Sequence, residues 1–289
     1  MARAVSDVLR RVLMVPPKYF TVEYAINPWM GGTVDVEKCH KQWNNLKEAI
    51  EKEGVQVSTL EQQPDLPDQV FVCNSGLVFE NKVYLSHFRH PERQGEQEHY
   101  LRWYRENGFE IMGADYVEYF EGGGDACFSD YKTLWAGYGV RSSKNVYDRI
   151  SKMGNFEIVH CELVSDRFYH LDTCFTPVGH QSALWYPPAF SAATQKEIER
   201  RLPSAIAVSD AEAEAFVCNA ITIRKSVISP PGVSDKTKEA LKKLDYETVE
   251  VEMSEFMKSG GACQCLFRIK SLFGLFNGCN GNEKALTLN

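Results

Sequence analysis

Residues 71–79, FVCNSGLVF, are followed by KVYLSHF at 82–88, by a charged segment around 95–107 and by FEIMGAD at 109–115. The first two runs are short and rich in β-branched and aromatic residues, the charged stretch has helical character, and the last run reads as a return strand. The same order recurs in GGDACFSD (123–130), TLWAGYG (133–139), a helical stretch near 144–153 and FEIVHCEL (156–163). It recurs again in HLDTCFTPVG (170–179) and SALWYPP (182–188), with a helix near 194–202 opened by Thr194 and Glu197 as a capping-box pair. A further unit runs AFVCNAITI (215–223), SVISPP (226–231), SDKTKEALKKL (234–244) with Ser234 as N-cap, and ETVEVEM (247–253). Strands alternating with helices throughout predict an α/β fold.

A polar residue sits in or beside a short apolar segment at a near-constant interval: Asn27, Asn74, Glu121, Asp172, Asn219 and Cys263, at steps of 47, 47, 51, 47 and 44 residues. Such a period signals repeated supersecondary units. If the units close around a pseudo-symmetry axis, these side chains meet in one pocket. That pocket would hold a thiol, two carboxylates and, two residues before Asp172, a histidine.

With 289 residues, 44% hydrophobic and 25% charged, the chain can bury a large core. A repeat with no linker between units predicts one domain over 1–268, with 269–289 as an atypical tail that departs from the pattern and reads as peripheral or disordered. The net charge of −7 gives no basic stripe for nucleic acid and suits a small cationic substrate. Nine scattered cysteines, an odd number, fit a reducing, cytoplasmic setting better than a disulfide framework. The arginines of the first residues suggest a transit peptide, but Asp7 and the run Val12 to Val15 read better as an opening strand. No apolar run reaches membrane-spanning length. Over 36–53, Trp43, Leu46 and Ile50 recur at helical spacing and predict an amphipathic helix, with Glu37 and Lys41 on its solvated face.

The segments LPDQVFVCNSGLVF (66–79), FRHPERQGE (88–96), FEGGGDACF (120–128), YGVRSSKN (138–145), FYHLDTCF (168–175) and GGACQC (260–265), with INPWM (26–30), resemble in this order the guanidino-group-modifying superfamily. That superfamily includes arginine deiminases, dimethylarginine dimethylaminohydrolases, amidinotransferases and arginine dihydrolases. The resemblance implies a pseudo-fivefold α/β propeller of ββαβ units around a central site. It also implies a cysteine hydrolase with a small guanidino substrate and no cofactor or metal.

By the same resemblance Cys263 is the nucleophile and Cys265 an accessory thiol; in an extended segment the two would face the same side. His170 would be the acid and base, and Glu121 the carboxylate that orients it. Asp172 would pair with the guanidinium fork, Arg93 and Arg141 would grip the α-carboxylate, and Asp68 would receive the α-amino group. Asp125 reads as a structural acceptor. At position 74 the deiminases and dimethylarginine hydrolases carry an aspartate; Asn74, with Asn27, resembles the arginine dihydrolase branch, which releases ornithine, ammonia and carbon dioxide. The carboxylates would oppose thiolate formation in the empty site, so bound substrate is expected to help deprotonate Cys263. The rival readings are dimethylarginine hydrolysis, arginine deimination, amidino transfer, and a non-enzymatic binding protein of the same fold. His87 with His90, and Cys263 with Cys265, lack a complete tetrahedral metal pattern.

Overall fold

The computed structural model describes residues 5–271. The repeat is present among them as five three-stranded sheets. In chain order the strands are β1 (Arg11–Met14), β2 (Gln56–Thr59), β3 (Gly76–Phe79), β4 (Lys82–Leu85), β5 (Glu110–Met112), β6 (Ala126–Asp130), β7 (Thr133–Tyr138), β8 (Glu157–Glu162), β9 (Phe175–Pro177), β10 (Ala183–Trp185), β11 (Ile206–Ala207), β12 (Ile221–Ile223), β13 (Ser226–Ser229), β14 (Glu247–Glu250) and β15 (Arg268–Ser271). Within each sheet the leading strand pairs antiparallel with the second, and the second runs parallel to the third. A parallel pair needs a crossover, and in every unit a helix supplies it.

Four sheets are continuous in sequence: β3-β4-β5, β6-β7-β8, β9-β10-β11 and β12-β13-β14. The fifth is split, because β15 supplies the leading strand for β1 and β2. Register partners Val12 and Ile269 therefore join opposite ends of the described chain. The unit expected to stop at 268 runs on to Ser271, and the remainder of the expected tail, 272–289, lies outside the described residues.

Local chemistry repeats with the topology. The hairpins β3-β4 and β12-β13 turn through two residues, the first being Glu80 (φ 53°) or Arg224 (φ 51°), the left-handed geometry that matches strand twist. The crossover helices Val36–Lys52, Glu96–Glu106 and Asp235–Lys243 are each left through a positive-φ residue: Gly54, Gly108 and Asp245. The first of these helices buries Trp43, Leu46 and Ile50, as its spacing predicts, and starts at Asp35, whose side chain accepts the Lys38 N–H. Ser234 caps its helix as expected. The crossover helix between β10 and β11 starts earlier than the sequence suggests, at Ala192–Arg201, with Ser191 rather than Thr194 as N-cap.

Each leading strand is preceded by a short turn that holds the polar residue of the ladder. Asn74 lies in the 3₁₀ turn Val72–Ser75, Glu121 opens Gly122–Gly124, and Asp172 lies in Leu171–Thr173. Asn219 stands two residues before β12 and Cys265 three before β15. The ladder thus has five rungs, and its last is Cys265. Asn27 is not a rung, because it lies between β1 and the first crossover helix.

Candidate active site

The rungs are fastened to one another by hydrogen bonds. Asn74 Nδ2 donates to the Glu121 carbonyl at 2.9 Å, and Asn219 Nδ2 to the Asp172 carbonyl at 3.1 Å. Asn219 Oδ1 accepts the backbone N–H groups of Ala262 (3.1 Å), Gln264 (3.1 Å) and Cys265 (3.3 Å). Cys73 N donates to the Cys265 carbonyl at 3.1 Å. Apart from the half-buried Gln264, every one of these residues is buried, so each polar atom depends on its neighbour for a partner.

Glu121 is fully buried and its Oε2 meets both Arg141 Nη1 (2.8 Å) and His170 Nε2 (2.7 Å). Its other oxygen accepts the Arg89 N–H at 3.1 Å. Burial alone would push this carboxyl up; Arg141 and the His170 hydrogen bond outweigh it and hold the group below the usual carboxylate range. Arg141 Nη2 donates to the Ile26 carbonyl at 2.7 Å, and its guanidinium lies over the Tyr169 ring, 4.6 Å from the centroid. Asp125 accepts Ser142 Oγ (2.6 Å) and Leu171 N (3.1 Å), the structural role expected of it. Gly124 is where backbone must come close: a Cβ there would stand 2.4 Å from Asn74 Nδ2 and 2.9 Å from His170 Nδ1.

The thiol beside this group is Cys265. Its Sγ is 3.3 Å from Asp172 Oδ2 and 3.2 Å from Asn219 Nδ2, and it lines a cavity of about 10 Å³ with Asn27, Asp68, Asn74, Arg93, Arg141, Tyr169 and Ser259. Cys263 does not line that cavity; it is packed into the apolar core, where burial pushes its thiol up. The expectation that both thiols share a face assumed an extended segment. Residues 263–266 instead form a tight turn, with Leu266 N donating to the Ala262 carbonyl and Phe267 N to that of Gln264, so strand alternation does not apply.

Cys265 and Cys73 both direct their thiols at Asp172 Oδ2. Burial pushes the Asp172 carboxyl well up, reinforced by Cys265. Burial would push Cys265 up too, but hydrogen bonds from Cys73, Ala262 and Asn219 together with His170 bring its thiol down to about 6. The raised Asp172 carboxyl and the lowered Cys265 thiol both favour the proton on the carboxyl side of their hydrogen bond. Asp172 Oδ1 is buried and meets no hydrogen-bond donor. That orphaned oxygen belongs to a residue that also lines a second cavity, of about 80 Å³, with Gln264 and Arg268.

Asp68 accepts Ser259 Oγ (2.8 Å) and Tyr24 OH (3.0 Å), and burial pushes its carboxyl up. Arg93 is gripped on two sides by Glu96 (2.8 and 2.9 Å) and donates to Asn74 Oδ1 at 2.9 Å. Asn27 donates to the Ser259 carbonyl at 3.1 Å and accepts the Trp29 N–H. Sequence reasoning passed over Glu96, Tyr169, Ser259 and Cys73, and it named Asn219 as a rung but gave it no role. A spacing signal did exist for Cys265, since the step from Asn219 to it is 46 residues against 44 to Cys263. Among the described residues, Cys73, Asp172 and Cys265 also form a set of metal-ligand types, with donor atoms within 4.8 Å of one another. No described helix is long and apolar enough to cross a membrane.

Comparison with known proteins assigns the chain to a family. An uncharacterized protein of Caenorhabditis elegans is 65% identical over 265 residues, covering 92% of this chain and 95% of that protein. The bifunctional arginine dihydrolase/ornithine cyclodeaminase ArgZ of Synechocystis sp. is 41% identical over 262 residues, covering 89% of this chain and 37% of ArgZ. The chain thus spans little more than a third of that relative's length. The crystal structure of the ArgZ N-terminal domain, as a cysteine-to-serine variant bound to substrate, has a TM-score of 0.86 and 39% identity, covering 90% of this chain and 98% of that one. An asparagine-to-serine variant of the same domain is covalently bonded to a reaction intermediate. The sequence model of the eukaryotic N,N dimethylarginine dimethylhydrolase family matches residues 29–270. With a family model spanning most of its length, the chain belongs to that family, within the guanidino-group-modifying superfamily whose hydrolases act on guanidino C–N bonds.

Proposed function

We propose that this protein hydrolyses the guanidino group of arginine through a covalent intermediate on Cys265, in two rounds that give ornithine, two ammonia and carbon dioxide. The observation that carries the reading is the buried, hydrogen-bonded group of Cys265 with Asp172 and of His170 with Glu121, with Cys265 lining a cavity together with the neutral amide of Asn74. Cys265 Sγ attacks the guanidinium carbon, and His170, held by Glu121, gives the proton with which ammonia leaves. Water activated by His170 then opens the thiouronium. Asp172, the orphaned carboxyl, pairs with the unsubstituted guanidinium nitrogens and releases its proton as the cation binds. That inverts the expected order: the thiolate is formed before substrate arrives, and the proton displaced by the cation comes from Asp172.

Arg141 and Arg93 bind the α-carboxylate and Asp68 the α-amino group, with Arg93 also fixing Asn74. A neutral residue at 74 suits the neutral ureido product of the first round, which must stay for the second. Asn74 uses one Nδ2 proton on the Glu121 carbonyl and its Oδ1 on Arg93, leaving a second Nδ2 proton for the ureido oxygen. An aspartate would face the Glu121 carbonyl with an oxygen. Asn27 completes the wall on the opposite side. The five sheets, on this reading, stand as blades of one pseudo-fivefold propeller domain reaching Ser271, with the rungs at its axis. The relative trapped with a covalent intermediate supports the chemistry.

The test is incubation with arginine and, separately, asymmetric dimethylarginine, with products identified by mass, beside Cys265→Ser and Cys263→Ser. Ornithine with two ammonia, lost in Cys265→Ser and kept in Cys263→Ser, is expected; Asn74→Asp should shift product toward citrulline. Citrulline plus dimethylamine would establish the second reading, which the family match favours. Activity that survives Cys265→Ser removes the proposed nucleophile.

A further inference from the structure

Cys73 forms no bond to substrate in the proposed hydrolysis, but it helps to lower the Cys265 thiol and is placed against it. Its Sγ lies 3.6 Å from Asp172 Oδ2, and Cys265 Sγ lies 3.3 Å from the same oxygen. The two sulfurs are within 4.8 Å of each other, and their main chains are joined by the 3.1 Å bond from Cys73 N to the Cys265 carbonyl. That bond keeps the two backbones close, and side-chain rotation has to bring the sulfurs from within 4.8 Å to an S–S bond of about 2.05 Å. Both are free thiols. Asp172 Oδ1, buried and without a donor, is an unused acceptor beside the pair.

We propose that Cys73 is a resolving thiol, so that a small hydroperoxide oxidises Cys265 and the pair closes reversibly as a Cys73–Cys265 disulfide. This rests on Cys265 being the nucleophile of the preceding section. The cavity beside Cys265, at about 10 Å³, is about one water in size, and hydrogen peroxide enters by the route the larger guanidino substrate must use in the proposed reaction. Cys265 thiolate attacks one peroxide oxygen; the S–O bond forms and the O–O bond breaks. The departing hydroxide takes the proton held by Asp172 and leaves as water. Sulfur has lost two electrons and the peroxide has gained them. Cys73 Sγ then attacks the sulfenic sulfur, the S–S bond forms, the S–O bond breaks, and the leaving hydroxide carries off the Cys73 proton as a second water. Two thiols and one hydrogen peroxide give one disulfide and two waters. A disulfide holds the nucleophile at an oxidation state that a dithiol can reverse, whereas a lone sulfenic acid proceeds to sulfinic acid.

Cys263 is the nearest thiol in sequence, but it neither lines the cavity of Cys265 nor makes the contact with Asp172 Oδ2 that Cys73 and Cys265 share, and it is not the partner. The test treats the full chain with hydrogen peroxide in the presence of a chelator, blocks free thiols and maps linked peptides by mass. The expected result is a Cys73–Cys265 link two hydrogens lighter than the dithiol, with lost arginine hydrolysis restored by dithiothreitol. Cys73→Ser and Cys73→Ala, both checked for folding by circular dichroism, should instead accumulate Cys265 sulfinic acid and recover little activity. A link between any other pair, or sulfinic acid at Cys265 in the unaltered chain at the rate seen in the variants, overturns the proposal. Peptide mapping does not depend on turnover. A Cys265→Ser protein that still hydrolyses arginine therefore defeats the functional reading, whereas a missing link with an inactive Cys265→Ser protein defeats this one alone.

Discussion

Asp172 holds one carboxyl oxygen against two thiols and another against no donor, so binding and stability pull on it in opposite directions. Burial raises its folded-state pKa above the ordinary 3.8. From that pH up to the raised value the folded chain holds a proton the unfolded chain has released, and stability falls as pH rises. Asp172→Asn has no such proton. It should be more stable than the native protein at pH 8 by about 1–3 kcal/mol, with the gap closing toward pH 4, and should not hydrolyse arginine. Urea midpoints at both pH values check this, and a gap that widens on acidification contradicts it. A companion measurement is the alkylation rate of Cys265 followed by peptide mass, expected to rise with a midpoint near pH 6. A midpoint near the ordinary thiol value of about 8.5 would return the proton to sulfur and revive deprotonation by substrate. The residue types were legible in sequence because a recurrent polar position in apolar surroundings needs a reason. The choice between Cys263 and Cys265 was not, since it depends on a turn whose bonds run to Asn219, more than forty residues away.

Arg93 and Glu96 straddle the junction between the short helix Pro91–Gln94 and the crossover helix Glu96–Glu106, both side chains almost wholly buried. Taking away one partner strands the other's charge away from water. Glu96→Ala should therefore cost about 3–5 kcal/mol in denaturant unfolding. Glu98→Ala, which breaks the exposed pair with Arg102 on the same helix, should cost less than about 1 kcal/mol. Equal losses would mean that the buried pair does not hold the junction. Helices were legible where the signal is local: the apolar stripe of Val36–Lys52 and the cap at Ser234 need only neighbouring residues. At 191–197 two hydroxyl residues compete for one N-cap. Ser191 takes it, and Thr194 is turned to accept the Glu162 N–H from the adjacent strand, a contact local sequence does not reveal. The helix Asp210–Glu214, with its Ser209–Glu212 capping box, spans barely more than a turn and carries no full apolar period.

Across the whole molecule, the split sheet makes the thiol proposed as nucleophile depend on residues at the far end of the chain. β1 is the central strand between β15 and β2, and Val12 is fully buried opposite Ile269. Val12→Asp buries an unpaired carboxyl there and should remove both cooperative unfolding and arginine hydrolysis. Arg11→Asp, on the exposed side of the same strand, should leave both nearly unchanged. A Val12→Asp protein of normal activity would show that Cys265 keeps its place without the sheet it leads into. The five-unit organisation was legible because the spacing recurs, but the sequence suggested six rungs; a strand borrowed from the other end of the chain leaves no local trace. Register partnership between Arg11 and Ser271 has a topological consequence. The chain is spelled around a seam, and where the spelling begins is a property of the gene rather than of the sheets. A circular permutant that joins the two sides of that seam by a short linker and opens at the exposed Glu80–Asn81 turn would keep every strand pairing described above.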